Sequence, residues 1–393
     1  MALPGITINI TPGSLGTSLG TYDFISGIIC YSSSLPSGWT NNEIQYFGSI
    51  ADVENASIVS TLGTDVSVVW FALKNYFNIF PNGLMYVMFS SSSAWTFTEA
   101  QTMSDYSQSL GSNVRQIAVL VGSRWLNTTD VATLQGIANT LKSEIQNVEF
   151  LYCPNFSGTT GVDCSASNAP NVAVLIGTDQ SVGGFMKTGS VSGLTYNHPA
   201  MVGPYMGILA ANAISDSPAW VGGQFGNISN GSDFVTPGIG STANYIIGSA
   251  ILTTLDNYAL TFMRTLNGYP GTYIMNSRTA TVAKTAYSKV ELQRTIDKIY
   301  RGIYVDIAPW LSRRLTVQKG TGYLAYSTAV EIESSAENTP KLMKANNDIS
   351  DYKVIVNPFV NVVASNSITI TVNILPSPVL EWITVNLSYN LNL

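Results

Sequence analysis

Five apolar runs set the strongest limit on how this chain folds: DFISGIICYSS at 23–33, NGLMYVMFSS at 82–91, VRQIAVLVGS at 114–123, VEFLYCPNF at 148–156 and NVAVLIG at 171–177. The last three are almost unbroken by polar residues, the pattern of strands covered on both faces, as parallel sheets require. Helical spacing lies between the runs. Thr128 or Thr129 can cap a helix through Asp130, Val131, Leu134, Ile137, Leu141 and Ile145, which ends before the next strand at Val148. Strand, helix, strand at this spacing is a βαβ rhythm, and it predicts a mixed α/β region over residues 21–250. At 393 residues the chain exceeds a typical single domain, so two domains are expected.

Irregular stretches interrupt this pattern. SGTTGVDCSASNAPN (157–171) reads as a loop, and residues 215–243, dense in Gly, Ser, Pro and Asn, as a long connection. Residues 244–263 resume an apolar pattern. Both termini alternate with period two. Ile6, Ile8 and Ile10 interleave with Thr7, Asn9 and Thr11, followed by Pro12, Gly13, Gly16 and Gly20. Near the end, Ile368, Ile370, Val372 and Ile374 form one strand, and Ile383, Val385, Leu387, Tyr389, Leu391 and Leu393 a second, with Pro376 and Pro378 between them. The second is uncharged after Glu381 and would be an aggregation site if left as a free edge. Two readings stay open: an ordinary strand within the subunit, or a strand donated to a neighbouring copy by β-augmentation.

Charge is scarce and unevenly placed. Only 11% of residues are charged, against about a quarter in ordinary soluble domains. A surface so poor in charge suits a protein largely covered by copies of itself. Residues 1–263 hold 5 Lys and Arg against 15 Asp and Glu, a net −10, while residues 264–393 hold 13 against 9, a net +4. The second balance is too mild and mixed for nucleic acid. Within it, Arg264 to Gly322 contains the best-formed helix. Ser288 and Glu291 have capping-box spacing, and Leu292, Ile296, Ile299 and Ile303 stack on one face. Arg294, Lys298 and Arg301 fall on the opposite face. A solvated surface helix gives this pattern, and so does a helix that presents a cationic front to a partner.

Catalytic motifs are scarce as well. The single histidine, His198, rules out His-based metal sites and HExxH. Gly16-Thr17-Ser18-Leu19-Gly20 fits GxSxG, but no buried strand precedes it and no helix follows, so it reads as a flexible linker. No phosphate-binding loop, dinucleotide fingerprint or carboxylate pair stands out, so no catalytic, cofactor-binding or metal residue is nominated. Cys30, Cys153 and Cys164 contain no CxxC pair and read as buried free thiols of a reducing compartment. The N-terminus MALPGITINI does not resemble a signal peptide, and no window is apolar enough to span a bilayer. Synthesis in the bacterial cytoplasm without general secretion is the expectation.

The order of features resembles the contractile tail sheath proteins of myovirus tails, R-type bacteriocins and contractile injection systems. Leu3-Pro4-Gly5-Ile6 and the linker after it look like the sheath N-terminal arm. Gly27 to Ser33, then Asn42-Glu43-Ile44-Gln45-Tyr46-Phe47-Gly48, look like the early strand and the short helix ending in Phe-Gly. Most specific are Leu266-Asn267-Gly268, then Tyr273 to Thr279, then the helix bearing Arg294. Asn276-Ser277 stand where sheaths carry Gly-Ala, which marks a divergent member, and His198-Pro199-Ala200 to Ala211 loosely match a Pro-containing entry to an Ala-rich helix.

The resemblance implies an α/β (α+β) fold with an N-terminal arm at 1–20 and an outer mixed α/β domain at 21–262. A smaller α+β inner domain at 263–379 and a C-terminal donated strand at 380–393 complete it. It further implies a structural subunit without enzymatic activity or cofactor. Such subunits form stacked hexameric rings around an inner tail tube protein, with baseplate and tail terminator proteins at the ends, no nucleic acid and no direct membrane insertion. They contract to drive the tube through a cell envelope, as part of a virion tail or a similar contractile particle. In that setting Arg294, Lys298 and Arg301 would face the tube, and Ile6, Ile8, Ile10, Ile383, Val385, Leu387, Tyr389 and Leu391 would lie in inter-subunit arms. The other function classes consistent with the residues are an α/β enzyme or ligand-binding protein, and a viral capsid or surface protein.

Overall fold

The structure, a computed structural model, describes residues 23–62, 64–158, 161–186 and 197–381. The strands expected around Ile6, Ile8 and Ile10, and around Ile383, Val385, Leu387, Tyr389 and Leu391, lie outside the described residues, as does the Gly16–Gly20 linker.

The first part of the chain runs β1 (Ser26–Tyr31), β2 (Ile44–Phe47), α1 (Ile50–Asn55), α2 (Asp65–Ile79), β3 (Met85–Ser90), α3 (Thr98–Ser109), β4 (Gln116–Trp125), α4 (Thr128–Ser143), β5 (Glu149–Asn155) and β6 (Val172–Leu175). All five apolar runs of the sequence are strands. The short strands β7 (Gly177–Asp179), β8 (Pro237–Ile239) and β9 (Thr242–Ala243) form a small separate sheet; α5 (Val202–Ala211), α6 (Asn244–Ile247), α7 (Ser249–Asn257) and β10 (Leu260–Thr261) complete this part. The main sheet has seven strands in the order β10-β6-β5-β4-β1-β3-β2. Every neighbour pair is parallel except β2 with β3.

Alternation across this sheet separates two cores. Ile28 and Cys30 of β1, Ala118 and Leu120 of β4, and Leu151 and Cys153 of β5 face one cluster, with α2 and α5. Ile29 and Tyr31, Val119 and Val121, and Phe150 and Tyr152 face the other, with α3 and α4. Both faces are covered, which is why these strands could be read as unbroken apolar runs. The α2–α5 crossing depends on a glycine: a Cβ at Gly203 would overlap the carbonyl oxygen of Ala72. Cys30, Cys153 and Cys164 are free and buried. His198 is also buried, which pushes its pKa down to about 4 and keeps the ring neutral.

Two local expectations are corrected. Residues 44–47, expected as a short helix, form β2, antiparallel to β3 with Tyr46 opposite Tyr86. Pairing with a preformed edge outweighs local preference in so short a segment. The α4 cap is Asn127, one residue earlier than expected, whose side chain accepts the Asp130 N–H at 2.9 Å.

The second part begins with the hairpin β11 (Met263–Leu266) and β12 (Tyr269–Ile274); Met263 and Ile274 pack into the α2–α5 side of the sheet. Then come α8 (Val290–Ile307), α9 (Tyr326–Ala345), β13 (Ile349–Val356) and β14 (Ile370–Pro376). The last two pair antiparallel as a two-stranded ribbon, with Val354 opposite Val372. Ile370, Val372 and Ile374, expected to share a face, all turn toward apolar clusters built with α8 and α9. The partner strand β13 had no counterpart in the sequence reading. Among the described residues no helix is long and apolar enough to cross a membrane.

Candidate functional site

In the parallel part of the sheet, all strands start along one edge. Four adjacent strands, β6, β5, β4 and β1, bring Asn171, Asn147 with Glu149, Arg115 and Asp23 to that edge in a row. Strands are about 4.8 Å apart, so the row is about 14 Å long. Helix α8 lies against it, and the stretch from Gln293 to Arg301 covers a similar length at about 1.5 Å per residue.

The helix has the two faces that the sequence predicts. Ile296, Ile299 and Ile303 pack against Met343, Ile349 and Ile374. The opposite face carries Arg294, Lys298 and Arg301, but it does not face solvent. Arg294 and Arg301 are each 6% exposed. The tube-facing cationic front is therefore corrected: these side chains turn inward, because α8 is covered by the ribbon on one side and the sheet edge on the other. The expected capping box is not formed either. The helix starts at Val290, no side chain caps it, and Ser288 Oγ donates to the Thr285 carbonyl instead.

Asp23 is the centre of the contacts. Its Oδ1 accepts from Arg301 Nη2 at 2.7 Å, its Oδ2 lies 3.3 Å from Lys298 Nζ, and its carbonyl accepts from Arg294 Nη2 at 3.2 Å. Lys298 Nζ also donates to Asp348 at 3.0 Å. Asp297, on the same helix face, accepts from Asn147 at 3.0 Å, Asn171 at 2.8 Å and Gln293 at 3.1 Å, with Lys142 Nζ 3.4 Å away. The row thus alternates sign, and most of its charge is paired. Removing one partner of such a buried pair is far more costly than losing a surface pair.

Glu149 stands apart. It is 1% exposed, and neither carboxylate oxygen has a hydrogen-bond partner. Burial, and then the nearby charge of Asp297, push its pKa well above the usual carboxylate range, while Arg294, the Asn171 side chain and Lys142 pull the other way. Burial also pushes the pKa of Glu291 up. The Arg115 guanidinium is pushed down to about 9 by burial and then by the like charge of Arg301, so it stays charged at neutral pH. Glu381 ion-pairs with Lys289, at the start of the helix. Asp23, before β1, and Glu381, after β14, are thus both held on α8 or its cap.

The sequence reading found Arg294, Lys298 and Arg301 but missed Asp23, Arg115, Asn147, Glu149, Asn171 and Asp297. One signal was available: Asp297 lies at the middle of the supposed cationic face, and Glu149 breaks an otherwise apolar strand. An exposed face has no need of either. Among the described residues no group of His, Cys, Asp and Glu could hold a metal ion.

A family model described as DUF2586, N-terminal domain, matches residues 3–278. No curated protein matches in sequence. Solved structures do match in fold. The helical sheath of the anti-feeding prophage in its contracted state has a TM-score of 0.63 at 14% identity, covering 99% of this chain and 100% of its own. The contracted sheath complex of an extracellular contractile injection system, PVC, has a TM-score of 0.59 at 12% identity, covering 100% and 98%. A sheath tail protein from Desulfitobacterium hafniense has a TM-score of 0.53 at 9% identity, covering 95% and 100%. At these identities the likeness is one of fold.

Proposed function

The chain belongs to the DUF2586 family, and from that premise, joined to a sheath-protein fold along nearly its whole length, we propose that it is a structural subunit of a contractile tail sheath. The observation that carries this reading is the end-to-end correspondence in fold: the match to a contracted helical sheath protein covers 99% of this chain and 100% of that one. On this reading the subunit polymerises with itself in stacked rings around an inner tube, within a phage tail or a similar contractile particle, and meets baseplate and terminator proteins at the ends. It works without catalysis or cofactor.

The fold supports the assembly step. A two-stranded ribbon is marginal by itself and gains stability from added strands. Among the described residues β13 and β14 pair only with each other, so both can accept a strand. The terminal segments with Ile6, Ile8 and Ile10, and with Ile383, Val385, Leu387, Tyr389 and Leu391, have the alternation such a strand needs. Because Asp23 and Glu381 are both held at α8, a pull on either arm would be carried into the same helix. The subunit, closed across the α8 seam, would then move as one body linked to its neighbours by arms.

The tube-facing role passes from Arg294, Lys298 and Arg301 to exposed cations. Arg313, Arg314 and Lys319 lie exposed on the loop after α8 and have the charge to meet an acidic tube surface. Electron microscopy of the purified full chain tests the proposal as a whole. Tubes or stacked rings are expected, and a chain truncated after Val379 is expected to stay folded but give none. Small globular particles at every salt concentration would overturn the reading.

A further inference from the structure

Beneath α8, between the helix and the sheet edge, is a cavity of about 10 Å³, the room for one particle of water or halide size. Arg115, Arg294 and Arg301 line it together with the carboxylates Asp23, Glu149 and Asp297. Three guanidinium nitrogens there, Arg115 Nη1, Arg294 Nη1 and Arg301 Nε, are buried and have no hydrogen-bond partner. Buried donors without acceptors are rare in folded proteins and each needs an explanation. The aspartates cannot supply it, since Asp23 and Asp297 are already taken up by the contacts above.

The charge balance points the same way. Around the cavity Arg115, Arg294 and Arg301 stand against Asp23, Glu149 and Asp297. The lining is neutral with Glu149 ionised, and one positive charge is left over with it protonated. A water molecule can accept hydrogen bonds here but cannot remove that charge, and an uncompensated charge in the interior is costly. Protonated Glu149 would add an O–H donor to the same cavity instead of competing as an anion.

We propose that this cavity binds one small monovalent anion of the halide class, held by Arg115, Arg294 and Arg301 beside Glu149. The anion joins the sheet edge, through Arg115, to α8, through Arg294 and Arg301, in a seam otherwise closed by Asp23 and Asp297. The proposal does not depend on assembly.

The test is a crystal structure of the full chain grown with bromide in place of chloride, read by anomalous scattering. The expected result is an anomalous peak in the cavity, within hydrogen-bond reach of the three guanidinium groups. A cavity that holds water with no anomalous signal would overturn the proposal. A solution measurement covers the case where crystals fail. At constant ionic strength, replacing gluconate by chloride should raise the unfolding temperature with the logarithm of chloride concentration. The rise should persist in Glu149→Gln and vanish in Arg115→Met. Equal unfolding temperatures of the native chain in the two salts would reject the site, whether or not Arg115→Met folds.

Discussion

Helix α8 and the β13–β14 ribbon invert the usual placement of polar and apolar residues. The inner face of α8 is charged and yet buried, with Arg294 and Arg301 each 6% exposed. The ribbon and the connection between its strands leave large apolar side chains open: Leu375 is 60% exposed and Phe359 72%. The two regions share a core, because Ile296 and Ile299 of α8 pack against Ile374 of β14. The contrast therefore does not arise from two unrelated domains. In the seam, charge holds one subunit together, and most of it is paired. On the ribbon, two large apolar side chains, Ile355 and Leu375, face outward among polar Asp351, Lys353 and Asn373, with nothing of the described chain over them. This division also explains a chain with so few charged residues, several of which are spent inside.

The largest effect should come from breaking the seam at its centre. Asp23→Ala leaves Lys298 and the nearly buried Arg301 without their shared carboxylate. Truncating one side of a buried pair costs about 3–5 kcal/mol. Asp23 is itself partly exposed, so the lower end of that range is expected, measured by denaturant unfolding of the full chain. A loss below about 1 kcal/mol, the value of ordinary surface pairs, would mean that the seam is not an internal lock.

How much of this contrast was visible in the sequence differs between the two regions. The sheet was legible because strands covered on both faces leave a signal in composition itself, as in Val119 to Val121 or Val172 to Leu175. The two faces of α8 were legible because helical period fixes them. Their surroundings were not: periodicity separates charge from apolar side chains but does not say what covers either face. Arg294 and Arg301 reach Asp23, more than 270 positions away, and only the strand order places that residue under the helix. The strand β13 was missed because SDYKV is polar on the face it exposes and is stabilised by pairing with β14. The strand β2 was missed for a similar reason.

A smaller and more graded effect should follow from pH. Glu149 and Glu291 are both buried, and burial raises their pKa in the folded chain above the ordinary 4.5. The folded state then holds protons that the unfolded state has released, so stability is complete below about pH 4.5 and falls as pH rises through the raised values. Each group gives a slope of at most about 1.4 kcal/mol per pH unit. Arg294 and Asp297 of α8, Lys142 of α4, Tyr205 of α5 and Asn171 surround Glu149 and set how far its value rises. Glu149→Gln removes one titration and should flatten the profile between pH 5 and 8 by that group's share. A profile unchanged by the substitution would place Glu149 in an ionised, compensated state, and the seam would then be fully paired.

The smallest effect on the subunit is expected at the ribbon, and there it separates the two regions most sharply. Ile374 and Leu375 are neighbours on β14 that point to opposite faces. Ile374 is 8% exposed and packs with the α8 isoleucines, whereas Leu375 is open to solvent opposite Asp351. Leu375→Ser removes no packing inside the subunit, so its unfolding free energy should change by no more than about 0.5 kcal/mol, as at other surface sites. If copies of the chain cover this face, the same substitution should raise the concentration at which tubes appear, because apolar area buried between subunits is lost at about 25 cal/mol per Å². Ile374→Ser should do the reverse: it should destabilise the subunit by leaving a hydroxyl and a cavity beside Ile296, whatever the assembly state. Equal polymerisation by Leu375→Ser and the native chain would show that the outward face of the ribbon is not a contact, and assembly would then have to use the ribbon edges alone.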